Sequence, residues 1–373
     1  MGRRVLIVAM SVGGGHGKAG ESVAAALRGL APDWEVRRCD LSDFVAGWFR
    51  ALYVAGYLFI VRRIPWLWGL LYRHPPRRSG GTVPPWMLRR ALRPFERLVR
   101  GFQPDAILAT QITASEAAAS LRARGIHRGA TATVITDFDA HPSWRSDEID
   151  LFFVPDEDIR ARLARAGVAA ERIEATGVPI APAFEGSFDA AALKARHGVR
   201  PDVPVVLLMG GSLGLGSMAA AARSLLAGGR PLDLLVVTGH NARLRRRLEK
   251  LSPAGQSRLR VFGFVDYVAE LMALSDLFVS KPGGLSMTEA VTIGVPTLAI
   301  APLPGQEEAN ARHLEARGAV ERLRAGEPLA AAVERLLGDR TARERLSAAA
   351  RAYAHRGSAR LIAARLIELA ERG

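Results

Sequence analysis

Cysteine is almost absent from the sequence: Cys39 is the only one among 373 residues, so no disulfide can form within the chain. Proteins that fold without disulfides are typical of reducing compartments, and we expect the cytoplasm as the location. Cys39 ends a predicted strand and is most simply a core residue. The first residues lead directly into an apolar strand, from which we expect no secretion signal.

Long apolar runs are also missing, because no stretch reaches the roughly twenty residues that a helix needs to cross a bilayer. No group of histidine, cysteine and acidic residues has the spacing of a metal site. We therefore expect no metal and no other cofactor in the chemistry. The chain is long enough for two domains with complete cores, and its charged content of 24% is ordinary for a globular protein.

Acidic residues are scarce in one window, residues 44–100, which contains eleven arginines, no lysine and only Glu96 as an acid. The window therefore carries +10 of the formal net charge of +14, together with four of the six tryptophans. Basic charge alone fits nucleic acid, a membrane or simple solubility about equally. Its mixture with aromatic and aliphatic residues is typical of a membrane interface, so we expect anionic lipids as partners and no nucleic acid.

Within this window, residues 51–61 form an eleven-residue apolar run between arginines. A helix of that length covers roughly 16 Å, about half of a hydrocarbon core, so it cannot span a bilayer. A buried core helix and a helix lying on the membrane both fit the run, and the basic aromatic flank favours the second, monotopic interpretation. The predicted membrane-contacting residues are Tyr57, Arg62, Arg63, Trp66, Trp68, Arg73, Arg77 and Arg78.

The strongest motif lies in the C-terminal half, where a predicted strand is followed by the Gly-rich turn 281–284 and a predicted helix, 286–294. Ser286 and Glu289 have capping-box spacing, and Gly294 stands where a helix stop is expected. Such a turn presents backbone N–H groups and the positive end of a helix dipole to a phosphate or diphosphate. Glu289 either accepts hydrogen bonds from two ribose hydroxyls or only completes the capping box.

Hydrogen-bonding side chains also follow the next predicted strand, residues 296–301. They are Gln306, Glu307 and Asn310, and side chains of these types recognise ligands that carry several hydroxyl groups. Their place after a strand, like that of the Gly-rich turn, predicts one binding site at the carboxyl edge of a sheet.

Two polar turns follow predicted strands in the N-terminal half. The turn Gly13–His16 precedes a predicted helix, 19–30, and residues 137–144 follow another strand. The carboxyl ends of parallel strands share one edge of a sheet, where doubly wound folds bind their ligands. His16 either acts on a ligand or is a surface residue of a tight turn, and Asp137 either lines the same site or caps a turn.

Strands and helices alternate along the whole chain, which predicts an α/β fold with parallel sheets. The alternation stops at the Pro- and Gly-marked segment 177–186, which is the best linker, and restarts after it. This pattern predicts an N-terminal domain of residues 1–184 and a C-terminal domain of residues 185–356.

The segment from Gly263 to Asn310 resembles the donor half of family 28 glycosyltransferases, which include the diacylglycerol glycosyltransferases and the peptidoglycan N-acetylglucosaminyltransferase. The resemblance implies the GT-B fold, in which two Rossmann-like domains face each other across a cleft. The N-terminal domain would bind the acceptor and the C-terminal domain the UDP-sugar. The resemblance also implies that the last helix, residues 357–373, packs back on the N-terminal domain.

The same resemblance implies a role for individual residues. The Gly283–Gly284 turn would hold the UDP diphosphate, Glu289 the ribose, the pair after the next strand the sugar hydroxyls, and the backbone after Gly263 the uracil. The implied donor-binding residues are Gly211, Ser212, Phe264, Val265, Gly283, Gly284, Ser286, Glu289, Gln306, Glu307 and Asn310. The implied acceptor-side residues are Gly14, Gly15, His141 and Trp144.

The chemistry that the resemblance implies is displacement at the anomeric carbon by an acceptor hydroxyl, with inversion. Helix dipole and backbone amides would stabilise the leaving UDP without a metal. His16 is favoured as the base because histidine titrates near neutral pH, with Asp137 as rival or helper. The pattern from Asp137 to Trp144 favours the diacylglycerol branch, and so predicts UDP-hexose and diacylglycerol as substrates at the cytoplasmic membrane surface.

Three alternatives remain open. A glycosyltransferase with a polyprenyl-linked, peptidoglycan-type acceptor would share the donor half. A UDP-sugar epimerase of the same architecture would explain the nucleotide half but not the basic aromatic window. A non-catalytic protein that binds anionic surfaces would explain the window but not the glycine turns.

Overall fold

The computed structural model describes residues 2–10, 14–64, 66, 69–70, 72, 85–210, 218–253 and 255–372. The chain divides into two compact units. The first unit contains Met1–Ala181, Leu303–Gln306 and His355–Gly373, and the second contains Pro182–Pro302 and Glu307–Ala354. The chain thus leaves the first unit at Ala181 and returns to it for its last helix.

The first unit is built on a six-stranded parallel sheet of order β2-β1-β3-β4-β5-β6. Its strands are β1 (Arg4–Ala9), β2 (Glu35–Asp40), β3 (Ala106–Ala109), β4 (Ala130–Val134), β5 (Leu151–Val154) and β6 (Ile173–Ala175). Its helices are α1 (Gly14–Leu30), α2 (Gly47–Arg63), α3 (Pro85–Ala91), α4 (Arg93–Phe102), α5 (Ile112–Ala123), α6 (Glu157–Arg165) and α15 (Ser358–Arg372), with 3-10 turns at Leu41–Phe44, Pro142–Trp144 and Ala170–Arg172.

Both faces of this sheet are covered by helices. Along β1, Leu6 and Val8 pack into one buried cluster with α4 and α5, and Cys39 packs against that cluster. Val5 and Ile7 pack into the opposite cluster with α1 and α15. Because side chains alternate along a strand, two buried faces require the continuous apolar run that the sequence shows here. The sheet is therefore doubly wound.

The last helix, α15, covers the same face of the sheet as α1. Its residues Ile362 and Leu366 are fully buried in the cluster that β1 and α1 share. At its surface the Arg365 Nε atom donates to a carboxylate oxygen of Glu174, on β6, at 2.9 Å. The apolar stripe of α15 thus completes one layer of the first unit.

The second unit repeats the plan with a six-stranded parallel sheet of order β12-β11-β10-β7-β8-β9. Its strands are β7 (Val205–Met209), β8 (Asp233–Val237), β9 (Arg258–Phe262), β10 (Leu277–Ser280), β11 (Thr297–Ala299) and β12 (Glu321–Arg322). Its helices are α7 (Ala190–Arg196), α8 (Met218–Leu226), α9 (Ala242–Leu248), α10 (Val268–Ala273), α11 (Gly284–Ile293), α12 (Gln306–Glu315), α13 (Leu329–Gly338) and α14 (Arg340–Tyr353), with a 3-10 turn at Pro182–Phe184. The predicted α/β class with two Rossmann-like domains is confirmed.

The basic aromatic window forms helices α2, α3 and α4 where the structure describes it. Leu92 separates α3 from α4, so no single helix runs through residues 85–102. Pro94 has no N–H to donate to the carbonyl of Arg90, so the helix is interrupted and starts again. The prediction of a monotopic membrane element stays a prediction: Phe49 is buried in the core, whereas Phe59 on the same helix is 59% exposed.

For most of the residues predicted to touch the membrane, the structure does not describe the side chain. Trp68, Arg73, Arg77 and Arg78 are outside the described residues, and only the backbone of Tyr57 and Arg62 is described, in α2. Arg63 and Trp66 are exposed. Within the described part of the chain, none of the helices combines the length and the apolar character needed to cross a bilayer.

Candidate active site

The carboxyl edge of the first sheet carries the predicted histidine. Helix α1 begins at Gly14 rather than at Ala19, so His16 lies in the first helical turn and not in a loop. The prediction of the later start was wrong because glycine has low helix propensity, which tertiary packing overrides here. A Cβ atom at Gly20 would lie 3.0 Å from the Ile7 Cγ2 atom, so α1 packs closely over β1.

His16 is held by two threonines that follow neighbouring strands. The Nδ1 atom of its ring lies 2.8 Å from the Thr136 hydroxyl oxygen, after β4. The Thr110 hydroxyl, after β3, donates to the His16 backbone carbonyl at 2.9 Å. Both threonines are buried. Sequence reasoning missed them because a buried threonine at a strand end resembles any other core position.

Burial controls the protonation of this histidine. It lowers the pKa of His16 below 6.5, since an apolar environment disfavours the imidazolium, and the charge of Asp137 and a hydrogen bond from the ring to the Thr110 backbone oppose the shift only in part. The imidazole is therefore neutral at pH 7, and a neutral imidazole can accept a proton.

The segment after β4, residues 137–144, makes two contacts with Tyr72. The Tyr72 hydroxyl donates to the Asp139 carboxylate at 2.7 Å, and the His141 Nε2–H group donates to the Tyr72 carbonyl at 2.8 Å. Burial, followed by the charge of Asp139, raises the pKa of Tyr72 above its ordinary value, so the phenol remains a donor. Tyr72 and Asp139 were not predicted, because their contact joins residues far apart in the sequence.

Two predicted acceptor-side residues make contacts within the first unit. Both ring nitrogens of His141 are engaged within the protein, since its Nδ1 atom accepts from the Ser143 N–H group at 3.3 Å. Trp144 is 6% exposed and packs in the core with Ile135 and Phe152. Both residues thus support the turn from within, and their contact with an acceptor stays a prediction.

In the second unit, the Gly-rich turn opens directly into a helix. Helix α11 begins at Gly284, with Gly283 at the N-cap and no side-chain capping bond. The predicted capping box was wrong: Ser286 is the third helical residue, and Glu289 lies in the second turn. The predicted stop is confirmed, since Gly294 has a φ of 80° and its N–H group donates to the carbonyl of Ala290.

Two contacts fix this turn against helix α12. The Lys281 ammonium lies 3.0 Å from a carboxylate oxygen of Glu307, and the side chains are only 12% and 14% exposed. The Asn310 amide donates to the Pro282 carbonyl at 3.1 Å and is fully buried. The side chain of Asn310 thus helps to hold the turn, and its predicted ligand contact stays a prediction. Lys281 was not predicted, although a cation directly after a buried strand is an unusual signal.

The remaining predicted donor residues lie near the ends of other strands in the same sheet. Phe264, after β9, is 52% exposed, and its ring stacks on that of His240, after β8, with centroids 4.6 Å apart. Val265 is half-buried, and Gln306 opens α12. Gly211 and Ser212 lie outside the described residues. Where the chain is described, no three histidine, cysteine or acidic side chains are grouped to hold a metal ion.

Family models match both halves of the chain. Residues 16–180 match the model described as monogalactosyldiacylglycerol (MGDG) synthase, and residues 218–353 match the model described as glycosyl transferases group 1.

Two curated relatives illustrate the similarity. The processive diacylglycerol beta-glucosyltransferase of Bacillus subtilis (strain 168) is 32% identical over 209 residues, which cover 56% of this chain and 55% of the relative. The protein of that name from Bacillus cereus (strain B4264) is 27% identical over 341 residues, which cover 90% and 86%. Among relatives above 30% identity, the aligned part spans about half to two thirds of their length.

Solved structures share the fold across the whole chain. MurG of Acinetobacter baumannii has a TM-score of 0.64 at 17% identity and covers 98% of this chain and 99% of its own. The UDP-GlcNAc 2-epimerase of Neisseria meningitidis has a TM-score of 0.62 at 15% identity, with 98% and 100% covered. At these identities the likeness concerns the fold alone.

Two doubly wound parallel domains, each with a glycine turn at the carboxyl edge of its sheet, define the GT-B class of fold. Within that class, residues 16–180 match the MGDG synthase model and residues 218–353 match the model of group 1 glycosyl transferases. The resemblance predicted from the sequence is confirmed.

Proposed function

We propose that the protein is an inverting glycosyltransferase that moves a hexose from a UDP-sugar to the hydroxyl of diacylglycerol. The observation that carries the proposal is the neutral His16, held by Thr136 beside Asp137, in the half that matches the MGDG synthase family. The names of the Bacillus relatives support diacylglycerol as the acceptor and glucose as the first sugar to test.

The second unit provides the donor site in this proposal. The backbone amides at the start of α11, which no side chain caps, take the diphosphate around Gly283 and Gly284, since a helix N-terminus favours anions. Lys281 adds a positive charge beside that turn, 3.0 Å from Glu307. Glu289 accepts hydrogen bonds from the ribose hydroxyls, and Gln306 and Glu307 bind the hydroxyls of the sugar. The amides and the dipole stabilise the leaving UDP without a metal or other cofactor.

The first unit provides the base. His16 takes the proton of the acceptor hydroxyl as its oxygen attacks the anomeric carbon, and the bond from that carbon to the diphosphate oxygen breaks. UDP leaves with the electron pair, and the configuration inverts because attack comes from the opposite face. Asp137 stabilises the imidazolium that forms, in agreement with its opposing effect on the His16 pKa.

We further propose that the protein works on the cytoplasmic face of the membrane through the basic aromatic window. The support is a set of exposed side chains in the described part of that window: Trp48, Arg50, Phe59, Arg63, Trp66, Leu70, Trp86, Arg89, Arg90 and Arg93. Aromatic rings favour the headgroup level, and each arginine gains about 1 kcal/mol near an anionic leaflet. Vesicle sedimentation tests this proposal. We expect less sedimentation with anionic vesicles for a variant in which five arginines are changed to Gln: Arg62, Arg63, Arg73, Arg77 and Arg78. Equal sedimentation of the wild type and the variant would contradict the proposal.

The test of the reaction is incubation of the protein with diacylglycerol vesicles and, separately, UDP-glucose, UDP-galactose or UDP-N-acetylglucosamine, followed by mass spectrometry of the lipids. We expect a hexosyl-diacylglycerol with the wild type, in EDTA as in buffer, and none with His16→Ala. In a parallel incubation with a polyprenyl-linked acceptor, transfer to that acceptor alone would instead indicate a peptidoglycan-type glycosyltransferase. Epimerised UDP-sugar without any glycolipid would overturn the proposal in favour of an epimerase.

A further inference from the structure

We propose that Thr136 is a positioning residue for His16: its hydroxyl accepts the Nδ1–H group of the imidazole, which leaves the lone pair on Nε2 to take the proton of the acceptor. This inference rests on the proposed function, because only a base at His16 gives the choice of ring nitrogen a consequence.

The chemistry of a neutral imidazole makes the contact decisive. One ring nitrogen carries a proton and the other has a lone pair, and the hydrogen bond at one nitrogen selects which is which. The Nδ1 atom of His16 lies 2.8 Å from the Thr136 oxygen. If Nδ1 donates there, Nε2 is the basic atom. If Thr136 donated instead, the proton would be on Nε2 and the ring could not accept another at that position.

The surroundings allow little other arrangement of the ring. Thr136 is 3% exposed, and Thr110, which is fully buried, anchors the His16 carbonyl at 2.9 Å. The two threonines follow β4 and β3, which are paired neighbours in the sheet. Main chain and ring of His16 are thus fixed from two adjacent strands, so the base is oriented before a substrate arrives.

Thr136 and Asp137 divide two tasks that a single carboxylate performs in other histidine-based sites. A neutral hydroxyl orients the ring without adding charge, so the imidazole stays neutral in the resting protein. Asp137 adds negative charge nearby, which favours the imidazolium once a proton has been taken. Replacing Thr136 should therefore change orientation and tautomer and leave the electrostatic contribution of Asp137 in place.

The kinetic test compares Thr136→Val, Thr136→Ser and the control Thr133→Val. Thr133 is an equally buried threonine on β4 whose hydroxyl lies 2.8 Å from that of Ser115, away from His16. We expect Thr136→Val to lower kcat by about 10- to 100-fold, below the full effect of losing a base, with the KM for UDP-sugar unchanged. Thr136→Ser should restore most of kcat, and Thr133→Val should keep it.

A second measurement separates this proposal from the proposed function. Nitrogen-15 NMR of labelled histidine reports the His16 tautomer without any substrate, and we expect the Nδ1–H form in the wild type and in Thr136→Ser but a mixture in Thr136→Val. An unchanged tautomer in Thr136→Val, or a loss of kcat in Thr133→Val as large as in Thr136→Val, would overturn the role of Thr136. Absence of glycolipid from the wild type would overturn the function instead, and the NMR result would still decide the contact.

Discussion

The glycine turns of the two units share the same local structure but differ in the contacts that surround them. Each connects a buried strand to a helix that begins at a glycine, Gly14 in the first unit and Gly284 in the second. In the first turn a histidine is fixed by hydroxyls from neighbouring strands. In the second no side chain caps the helix start, and the turn is held by the ion pair of Lys281 with Glu307 and by the amide of Asn310. In the proposed function, the same kind of helix start therefore serves proton transfer in one unit and anion binding in the other.

The largest expected effect separates the two turns. His16→Ala should reduce sugar transfer by about 10²–10⁴-fold, the usual contribution of a general base, while calorimetric titration finds the affinity for UDP unchanged. The control is His127→Ala, which removes a buried histidine whose Nε2 atom lies 3.0 Å from the Ala130 carbonyl. That variant should lose stability but retain kcat in folded protein. Wild-type turnover in His16→Ala would contradict the assignment.

The second prediction concerns Glu289 in the other turn. Glu289→Ala should weaken UDP binding by about 1–3 kcal/mol, because a charged hydrogen-bond partner of the ribose is lost. A loss of stability from a broken capping box is not expected, since Ser286 is not the N-cap. Titration with UDP beside thermal melts tests both points. Unchanged affinity would remove Glu289 from the ribose site, and the exposed Glu344→Ala serves as control.

A smaller effect should follow from Lys281→Met. This change leaves the Glu307 carboxylate, 14% exposed, without its ammonium partner, and should cost about 1–2 kcal/mol of folding free energy. Chemical denaturation measures that loss, and UDP affinity should fall with it. Arg340→Met is the control, because the pair that Arg340 makes with Glu344 is 84% and 61% exposed and should contribute little. A drop in kcat with unchanged binding would give the second turn a share in the chemistry.

The smallest effect is a difference in pH dependence. Because the pKa of His16 is lowered, kcat at saturating substrate should fall toward low pH with a midpoint below that of an ordinary histidine. Stability should decrease in the same direction, since the unfolded chain binds that proton more readily. UDP binding should not follow this titration. A midpoint of the kcat profile above the ordinary histidine value would contradict the lowered pKa.

Much of the fold could be predicted from hydrophobic pattern, but not all of it. Strands such as β5 and β8 are mostly continuous apolar runs, which predict buried strands. Apolar runs do not predict β9, whose sequence alternates arginine with apolar residues at the edge of the sheet. They do not predict β12 either, because it consists of only Glu321 and Arg322.

The site was predictable only where the chemistry is local in sequence. Glycine turns after strands predicted where ligands bind, and His16 and Glu289 lie in the first two turns of the helices that follow. The contacts that define how the turns work join distant residues: His16 with Thr136 across 120 positions, and Lys281 with Glu307 across 26. No periodicity reports such contacts, because they depend on which strands become neighbours.

The return of α15 to the first unit has a consequence for synthesis of the protein. A ribosome delivers the strands of the first unit long before residues 358–372, so the layer that Ile362 and Leu366 complete remains open while the second unit is translated. During that interval Val23 and Leu27 of α1 present an apolar surface to the cell, and such surfaces favour aggregation and attract chaperones. The first unit can therefore be completed only after the second unit has been translated. A chain arrested before α15 should be recovered as an insoluble or chaperone-bound product.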